Sequence, residues 1–560
     1  MGGQIKKIFG LDLGTAYSSI AYVDENGKPH IIPNSDNQRV TPSVIFFDEG
    51  EIVVGDVAKE NAKLYPDDVI SFVKRAMGEP DFLFEHGGNT YRPEEISSYI
   101  IKKVVQDAEQ TLGEKITDLV ITCPAYFGIN EREATQRAGE IAGYNIRQII
   151  NEPTAAAIAY GSVQTDENRV VLVFDLGGGT FDVTMIEITP AAIQVICTGG
   201  DHNLGGKDWD DCIVNNMAQE FQKAMNTEED ILEDPDTCQD LLLTAEKAKK
   251  ILGQRKKTPI VITHGGERVK VELTREKFEQ LTEALLERTI SFTKEMLQKA
   301  KEKGYENFDE IILVGGATRM PQVARRIEEV FSIEPKVFDP DEAVAKGAAI
   351  YGSKLALNDE LVKRISEKTG SAVNPDVSTE DQAKIIESAP EHILQEASKE
   401  VSEITGYSLP AVKDSLVRIQ DVTSKSFGIV VENYGKKEEV FNLILKNSAV
   451  PIDIAKQFFT GAENQETVLI RIMENEMMEQ VVAIEQATEI GTAILNLPKG
   501  LPKESPVQIF FKLSKDGRLQ ITAVEKTESR MVEVVIDTKS VIQGEEFEEA
   551  KVRCQSLVVH

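Results

Sequence analysis

The sequence is poor in the residues that cross-link a chain, bind metals or span membranes. It has five cysteines and six histidines among 560 residues, and the cysteines are scattered without a Cys-x-x-Cys pair. We therefore expect neither a disulfide framework nor a zinc site, and a reducing compartment such as the cytoplasm suits these thiols. There is no apolar run of membrane-spanning length, and residues 1–7 do not resemble a secretory signal, so neither feature is expected.

Positive charge is also scarce. The 62 lysines and arginines stand against 93 aspartates and glutamates, which gives a net charge of -31. This much negative charge repels phosphate backbones and anionic lipids, so nucleic acids and membrane surfaces are not expected as partners. A chain of this length exceeds a single hydrophobic core and predicts about two to four domains.

The residue pattern changes along the chain and predicts its division. Residues 1–355 alternate strand-like runs with helical periodicity, which is typical of an α/β domain. Residues 356–416 carry amphipathic helical patterns and predict a helical insert or linker, in which Gly406 is expected to end a helix. Residues 417–538 contain short strand-like runs that predict an all-β sandwich. Residues 539–560 predict a short tail or helix.

Two similar glycine turns are the most informative local feature. The segment FGLDLGT at 9–15 and the segment FDLGGGTFD at 174–182 each place an aspartate, Asp12 or Asp175, at the end of an apolar strand and follow it with glycine and threonine. Glycine lets the backbone approach a phosphate, and successive N–H groups can converge on its oxygens. An aspartate beside phosphate requires a cation, so the pair predicts Mg²⁺ and a polyphosphate clamped between two turns that face each other.

A third glycine turn follows the buried-strand run IILV at 311–314. It reads Gly315, Gly316, Ala317, Thr318, Arg319 and precedes a helical segment. A strand, a Gly-Gly pair and a helix start can together present backbone to a ligand, here the nucleoside. Local capping patterns are also visible: Asn130 with Glu133 predicts a helix N-cap, and Pro153 is expected near a helix start.

The order of these motifs resembles the 70-kilodalton heat-shock family, the DnaK-type chaperones. The match also includes the segments RVTPS at 39–43, VITCPAYF at 120–127, IINEPTAAAIAY at 149–160 and DPDEAVAKGAA at 339–349. The resemblance implies a duplicated, ribonuclease H-like actin fold that binds and hydrolyses ATP with Mg²⁺, and it leaves K⁺ open as a further ion. The wider actin and sugar-kinase superfamily shares only the first two turns.

The resemblance also implies site residues. Lys74 would orient the attacking water and stabilise charge at the γ-phosphate, Glu152 and Asp182 would position that water, and Thr180 would contact the terminal phosphate. Asp12 and Asp175 would hold hydrated Mg²⁺. The remaining nucleotide-binding residues would be Gly14, Thr15, Ala16, Tyr17, Gly177, Gly178 and Gly179 at the phosphates, and Glu246, Lys249, Lys250, Gly315, Gly316, Ala317, Arg319 and Asp341 at the nucleoside. Pro124 and Arg132 match positions that relay the nucleotide state.

The second half resembles the peptide-binding domain of that family, but less closely. The segments DVTSKSFGI at 421–429 and QFFTGAENQ at 457–465 carry the match. By position, Ile429, Phe459, Val468 and Ile470 would line an apolar cleft for an extended peptide. The alternative interpretation is that these residues are simply part of the hydrophobic core of the sandwich. The linker at 417–421 carries polar residues where relatives have leucines. The helical lid is missing or reduced to residues 545–559, so bound peptide is expected to leave faster.

Three functions remain open at this point. The first is an ATP-driven chaperone for unfolded or extended peptide segments, served by J-domain and nucleotide-exchange co-chaperones as the resemblance implies. The second is a nucleotide-regulated scaffold or regulatory protein with a repurposed C-terminal half, which the insert and the polar linker favour. The third, a small-molecule kinase, rests on the shared fold alone.

Overall fold

The computed structural model describes residues 6–48, 50–162, 167–370, 378–432, 438–515, 517–526, 530–535 and 541–560. Residues 1–5 and 536–540, which include the predicted chain division at 538–539, lie outside this part. All five cysteines are reduced thiols. Among the helices of the described ranges, none has an apolar stretch long enough to cross a bilayer.

Residues 6–370 form the first group of elements. Its strands are β1 (Phe9–Asp12), β2 (Tyr17–Val23), β3 (Pro29–Ile31), β4 (Thr41–Pro42), β5 (Val44–Asp48), β6 (Glu51–Val54), β7 (Val69–Ser71), β8 (Phe84–His86), β9 (Asn89–Tyr91), β10 (Asp118–Cys123), β11 (Asn145–Asn151), β12 (Arg169–Leu176), β13 (Phe181–Ile188), β14 (Ala192–Asp201), β15 (Lys257–His264), β16 (Glu267–Thr274), β17 (Glu310–Val314) and β18 (Lys336–Val337). Its helices are α1 (Asp56–Asn61), α2 (Pro93–Leu112), α3 (Ile129–Ile141), α4 (Glu152–Gly161), α5 (Gly206–Met225), α6 (Pro235–Gln254), α7 (Arg275–Glu302), α8 (Pro321–Phe331) and α9 (Ala343–Thr369).

Residues 378–560 form the second group. Its helices are α10 (Thr379–Ser388), α11 (Glu391–Thr405), α12 (Leu409–Asp414) and α13 (Gly544–Ser556). Its strands are β19 (Arg418–Val422), β20 (Ser426–Glu432), β21 (Glu438–Ile444), β22 (Ala449–Val450), β23 (Ile452–Phe459), β24 (Thr467–Asn475), β25 (Val481–Ala483), β26 (Ala487–Asn496), β27 (Pro506–Leu513), β28 (Leu519–Glu525) and β29 (Arg530–Val535).

Two large sheets of the same topology form the first half. In the first, the order is β11-β10-β1-β2-β3: β1, β10 and β11 are parallel, β2 is antiparallel to β1, and β3 is antiparallel to β2. In the second, the order β18-β17-β12-β13-β14 repeats this arrangement strand for strand. We call the part around the first sheet the first lobe and the part around the second sheet the second lobe. The repeat explains why the two glycine turns, each between the first two strands of its sheet, occupy equivalent places.

Helices α4 and α9 pack between the two sheets. Their contact is close because small residues meet there: a Cβ on Gly347 would lie 1.7 Å from the carbonyl oxygen of Ala155. Buried residues of both helices, such as Ala156 and Ala348, belong to the same apolar core as strands of the two sheets. The first turns of both helices also reach the cleft between the lobes, where Glu152 and Val344 are part of its lining.

The predicted helical insert is only partly a separate element. Helix α9 runs through residue 355 without a break, so the expected division at that position has no counterpart in the secondary structure. Helices α10, α11 and α12 then fold back onto α9 and onto the first sheet, where Ala397, Val401 and Val412 are fully buried. Gly406 ends α11 in a left-handed conformation, as the sequence predicted.

The predicted N-cap at Asn130 is wrong. Helix α3 begins at Ile129, after an extended Gly128 that offers no side-chain cap. The amide of Ile129 instead donates a hydrogen bond of 3.2 Å to Glu474, a residue of strand β24 that is remote in sequence. A distant carboxylate therefore takes the role that a local side chain usually has.

The C-terminal half contains two facing antiparallel sheets, β25-β21-β20-β24-β26 and β23-β27-β28-β29. Their inner faces share one core that includes Ile429, Ile472, Phe511 and Ile521. Strand β19, which precedes the sandwich, belongs to the other half: it pairs in parallel with β14 and extends the second sheet. Helix α13 likewise packs outside the sandwich, on helices α2 and α3 of the first lobe.

Candidate functional site

The first two glycine turns meet at the bottom of the cleft between the lobes. A Cβ on Gly179 would lie 2.3 Å from the Cγ2 atom of Thr15, and a Cβ on Gly178 would lie 2.5 Å from the Cβ of Ala16. Contacts this short are possible only for glycine, so the sequence of the second turn is matched to the first turn across the cleft. The cleft above them has a volume of about 880 Å³, within the usual range for small-molecule sites.

Carboxylates crowd the place where the turns meet. Burial and the nearby Glu152 raise the pKa of Asp12 to about 7, although Lys74 and a 3.0 Å hydrogen bond from Thr122 oppose the rise. Burial raises the pKa of Asp175 far above its usual value, and Glu152 and Asp182 add to the effect. The repulsion among these groups makes the site a strong attractor for a cation.

Lys74 is the cation that the chain itself supplies. Its ammonium group is paired with Glu152, and its side chain is only 4% exposed. Burial lowers the pKa of Lys74, but the carboxylates of Glu152 and Asp12 outweigh burial and raise it, so the group stays charged. The residue is presented by a short 3₁₀ turn at Val73–Ala76 that follows Phe72, whose φ of 61° is strained for a bulky side chain.

The residues at this point fit a hydrated Mg²⁺ better than a protein-only metal cage. In the ranges that the structure describes, no group of three or more histidine, cysteine or carboxylate side chains is arranged to hold a metal. Burial raises the pKa of Asp182, and its Oδ1 atom is buried without a hydrogen-bond partner. Mg²⁺ commonly binds through one or two carboxylates, water and substrate phosphates, which matches this incomplete donor set.

The mouth of the cleft is bridged by side chains from both lobes. The phenol of Tyr17 donates a 2.9 Å hydrogen bond to Glu246, and Lys59 of α1 and Lys250 of α6 form ion pairs with the same carboxylate. Although burial acts in the opposite direction, the two lysines lower the pKa of Glu246 to about 2. Lys249 donates to the carbonyl of Gly206 at 2.7 Å and to Asp210 at 2.6 Å. The residues predicted to hold the ribose thus all have partners within the chain.

The third glycine turn closes the side wall of the cleft. Gly315 has a φ of 83°, and a Cβ there would lie 2.4 Å from the carbonyl oxygen of Leu176. Gly316 and Ala317 follow in a 3₁₀ turn, and Arg319 forms an ion pair with Asp341 at the exposed rim. All predicted site residues of the nucleotide cleft except Gly179 and Asp182 line the cleft itself. Gly179 lies against Thr15 at its floor, and Asp182 is buried, with 1% of its surface exposed.

Lys59 in the cleft wall and Arg75 beside the second glycine turn are among the residues that were not predicted from the sequence. Lys59 lies on the short helix α1, where no motif distinguishes it from other surface lysines. Arg75 donates two hydrogen bonds, of 3.0 and 2.8 Å, to the carbonyl of Gly179. It also forms an ion pair with Asp208 at 2.6 Å. Its position next to Lys74 was the only available signal. Arg75 ties the turn that carries Lys74 to the second phosphate turn.

The four predicted peptide-binding residues do not form one group. Ile429 and Ile470 are 4% and 2% exposed and lie in the sandwich core, with Val468 half-buried beside them. Phe459, at the end of β23 on the other sheet, is 59% exposed, whereas its neighbour Phe458 packs against the core. The alternative that the sequence left open, plain sandwich core, describes the two isoleucines in this conformation.

A buried polar path connects the cleft with the start of the sandwich. Asn151, next to Glu152, bonds both to Arg132 and to Asp421 of β19, the latter at 2.9 Å, and Thr154 donates to the same carboxylate at 3.1 Å. Burial raises the pKa of Asp421. These groups line a small cavity of about 60 Å³ at the junction of the lobes and the sandwich. The lysines Lys425 and Lys446 of the sandwich lie over the ring of Tyr126 in the first lobe, at 4.5 and 4.8 Å.

Comparison with known proteins extends over nearly the whole chain. The sequence model of the family described as "Hsp70 protein" matches residues 8–82, 81–366 and 405–557. The chain is similar to the Chaperone protein DnaK of Halobacterium salinarum, with 36% identity over 97% of this chain and 77% of the relative. It is equally similar to the Chaperone protein DnaK of Thermosipho melanesiensis, with 36% identity over 98% of this chain and 83% of the relative. These matches include both halves of the molecule and the segment between them from residue 405.

Proposed function

The chain belongs to the Hsp70 protein family and is an ATP-dependent molecular chaperone with ATPase activity, and we propose that its actin-like cleft hydrolyses ATP through Lys74, Glu152, Asp182 and Thr180. The observation that carries this assignment is the direct contact between the two glycine turns, with Asp12, Asp175 and Lys74 gathered beside it. Such a floor suits a triphosphate, since backbone N–H groups of both turns can converge on its oxygens.

In this proposal, each residue has a defined task. Thr15 and Thr180 donate hydroxyl hydrogen bonds to the terminal phosphates, and the Lys74 ammonium stabilises the charge that develops as water attacks the γ-phosphate. Glu152 and Asp182 accept hydrogen bonds from that water and hold it in line. Mg²⁺, held through water by Asp12 and Asp175, would neutralise phosphate charge.

The nucleoside is proposed to enter by displacing the bridge at the cleft mouth. Glu246, Lys249 and Lys250 of α6 would exchange their contacts within the chain for the ribose and base, and Gly315, Gly316, Ala317, Arg319 and Asp341 would form the facing wall. Glu246 is already ionised and well oriented, because two lysines hold it. The cost of breaking that bridge is offset by new bonds to the ribose hydroxyls.

We further propose that the sandwich binds extended peptide segments and that β19 couples this binding to the nucleotide. Ile429, Phe459, Val468 and Ile470 would contact the peptide. The two isoleucines are now in the core, so the peptide would reach them only after the sheets separate, whereas Phe459 is already exposed. The path from Glu152 through Asn151 to Asp421 supplies a physical connection between the two sites. J-domain and nucleotide-exchange co-chaperones and a cytoplasmic location are proposed on family grounds.

Single-turnover ATP hydrolysis, measured with and without an unfolded peptide, tests this function directly. We expect hydrolysis that depends on Mg²⁺ and is accelerated severalfold by peptide. Peptide affinity should be at least about tenfold higher with ADP than with ATP, because coupling needs two states of different affinity. Equal affinities in the two nucleotides would contradict the coupling, and absence of Mg²⁺-dependent hydrolysis would contradict the assigned chemistry.

A further inference from the structure

The last twenty residues of the chain lie on the first lobe rather than on the sandwich. We call residues 541–560 the terminal strap; it includes helix α13. Its apolar residues enter the core that α2 and α3 form with the first sheet, where Val541, Ile542, Ala550, Cys554 and Val559 are buried. The strap therefore contributes to the interior of the lobe and does not merely touch its surface.

Charged groups fix the strap at both ends of its helix. Arg553 donates two hydrogen bonds of 2.8 Å to the carboxylate of Glu95, and the amide of Ile542 donates one of 2.7 Å to Glu94. Both glutamates are only 1% exposed. Lys102 donates to the carbonyl oxygen of Leu557 at 2.9 Å. Bidentate and charge-assisted bonds of this kind are the strong ones, and here they select one orientation of the helix.

The final residues of the chain pair with the edge strand β6 of a sheet in the first lobe. The amides of Ile52 and Val54 donate to the carbonyls of Val558 and His560 at 3.2 and 2.9 Å, and the His560 amide donates to Ile52 at 2.9 Å. This places Val559 in a parallel bridge with Ile52 of β6. The sheet then runs from the strap through β6 and β5 to β7, which ends one residue before Phe72 and the turn of Lys74.

The strap is better anchored than the linker that joins the halves at the other end of the sandwich. Strand β19 of the linker pairs with β14, but its residues Arg418 and Ile419 are exposed and half-buried, and only Val422 is buried. Elements with few buried apolar side chains open first when a protein fluctuates. By this measure, more buried apolar side chains hold the strap to its lobe than hold β19 to the second sheet.

We propose that the terminal strap is a permanently seated part of the first lobe, which anchors the far end of the sandwich, and that it does not move as a lid over bound peptide. From Val535 to Val541 the chain can reach at most about 22 Å, so the end of β29 stays near the first lobe in every state. The sandwich then has one anchor on each lobe: the linker on the second and the strap on the first. This inference does not depend on the roles proposed for the cleft residues.

Hydrogen exchange at the amides of Ile52 and Val54 tests the proposal, because their acceptors are the last residues of the strap. In the intact protein without nucleotide, with Mg·ADP and with Mg·ATP, we expect protection of at least about a thousandfold that changes by less than about threefold among the three conditions. Loss of protection in any one condition would overturn the proposal and show a movable element.

Two variants of α13 separate a seated strap from a weak contact. Arg553→Met removes the bond to Glu95 and should accelerate exchange of the Ile52 and Val54 amides by at least about tenfold. Glu548→Gln, at an exposed position of the same helix, should leave exchange unchanged. Equal exchange in the wild type and Arg553→Met would overturn the anchoring that we assign to this ion pair.

A cross-link between the strap and the first lobe tests whether the strap has to detach from that lobe during nucleotide turnover. Arg92 and Glu546 form an exposed ion pair of 2.6 Å between the first lobe and the strap, so Arg92→Cys with Glu546→Cys can be joined by a short bis-maleimide. Treated Arg92→Cys alone is the control for reaction at native thiols. We expect ATP turnover and the ADP-to-ATP ratio of peptide affinities to remain within about twofold of the control. A nucleotide response abolished by the cross-link would overturn the proposal, whereas absent peptide binding in the control would count against the proposed function alone.

Discussion

The cleft and the sandwich differ in how strongly their residues are committed to a ligand. In the cleft, charged and glycine residues are already held at the place where a triphosphate fits, and several, such as Gly179 against Thr15, permit no other side chain. In the sandwich, Ile429 and Ile470 are part of an ordinary core, and Phe459 is exposed to solvent. A site made of polar groups and tight turns is visible in a resting structure, whereas an apolar cleft that opens on demand looks like core until it opens.

The largest expected effect that sharpens this contrast comes from Lys74. Lys74→Ala should lower single-turnover hydrolysis by about a thousandfold, equivalent to about 4 kcal/mol, because the charge that stabilises the transition state is removed. ATP affinity, measured by calorimetry, should change only severalfold, since the glycine turns remain. Lys256→Ala, at an exposed position, is the control. Normal turnover in Lys74→Ala would remove this residue from its assigned role.

The next largest expected effects are on the stability and the peptide affinity of the sandwich. Ile470→Ala should lower the free energy of unfolding by about 3 kcal/mol, because it leaves a cavity in the core. Phe459→Ala should change it by less than about 0.5 kcal/mol, as expected for an exposed side chain, yet weaken peptide binding by about tenfold. Urea unfolding and fluorescence anisotropy of a labelled peptide measure the two quantities. Unchanged peptide affinity in Phe459→Ala would mean that this residue lies outside the peptide site.

A smaller effect compares one glycine from each region. Gly179→Ala introduces a Cβ that would lie 2.3 Å from Thr15 and must push the two turns apart, so ATP affinity should fall by about tenfold. Gly461→Ala, in a loop of the sandwich with no atom within 4 Å of the new Cβ, should leave both ATP affinity and stability unchanged. If the two variants bind ATP equally well, the contact between the turns does not shape the site.

The smallest effect concerns pH and the contact between the two regions. Burial, together with the ammonium groups of Lys299 and Lys425, lowers the pKa of Lys446 to about 7 from 10.5. The unfolded chain therefore holds more protons than the folded chain between these values, and this lysine makes stability rise with pH from about 7 upward. Burial raises the pKa of Glu474 from 4.5 to about 7, so its stabilising contribution is present below 4.5 and is lost as pH rises through 7. The pH range over which Glu474 affects stability, about 4.5 to 7, therefore adjoins the range over which Lys446 does, about 7 to 10.5.

Lys446→Met isolates the lysine part of that profile. Between about pH 7 and 9, the free energy of unfolding of the wild type should rise more steeply with pH than that of the variant. Lys456→Met, at an exposed position of the same sandwich, should follow the wild type. Parallel profiles for the wild type and Lys446→Met would contradict the burial of this ammonium group.

Sequence reasoning succeeded where local geometry dictates residue type. The strand, glycine turn and strand around Asp12 and Asp175 could be predicted because only glycine allows that approach, and Gly406 could be predicted as a helix end for the same reason. It failed where the partner is distant in sequence. The cap of α3 by Glu474, the ion pair of Lys59 with Glu246 and the pairing of His560 with Ile52 join residues that no local pattern relates. The burial of Lys74 likewise depends on residues distant in sequence, and its role could be predicted only from the order of the family motifs.

Strand β19 has one further consequence, for how this linker can vary. Its residues Arg418, Ile419 and Gln420 pair in register with β14, and the Arg418 amide donates a main-chain hydrogen bond of 2.9 Å to Ala191. Main-chain bonds of this kind are indifferent to side-chain identity. Polar replacements that remove leucines from the linker can therefore accumulate without abolishing its attachment to β14. Proline is the exception, because it lacks the amide hydrogen, and it is the substitution that natural variation should avoid on this strand.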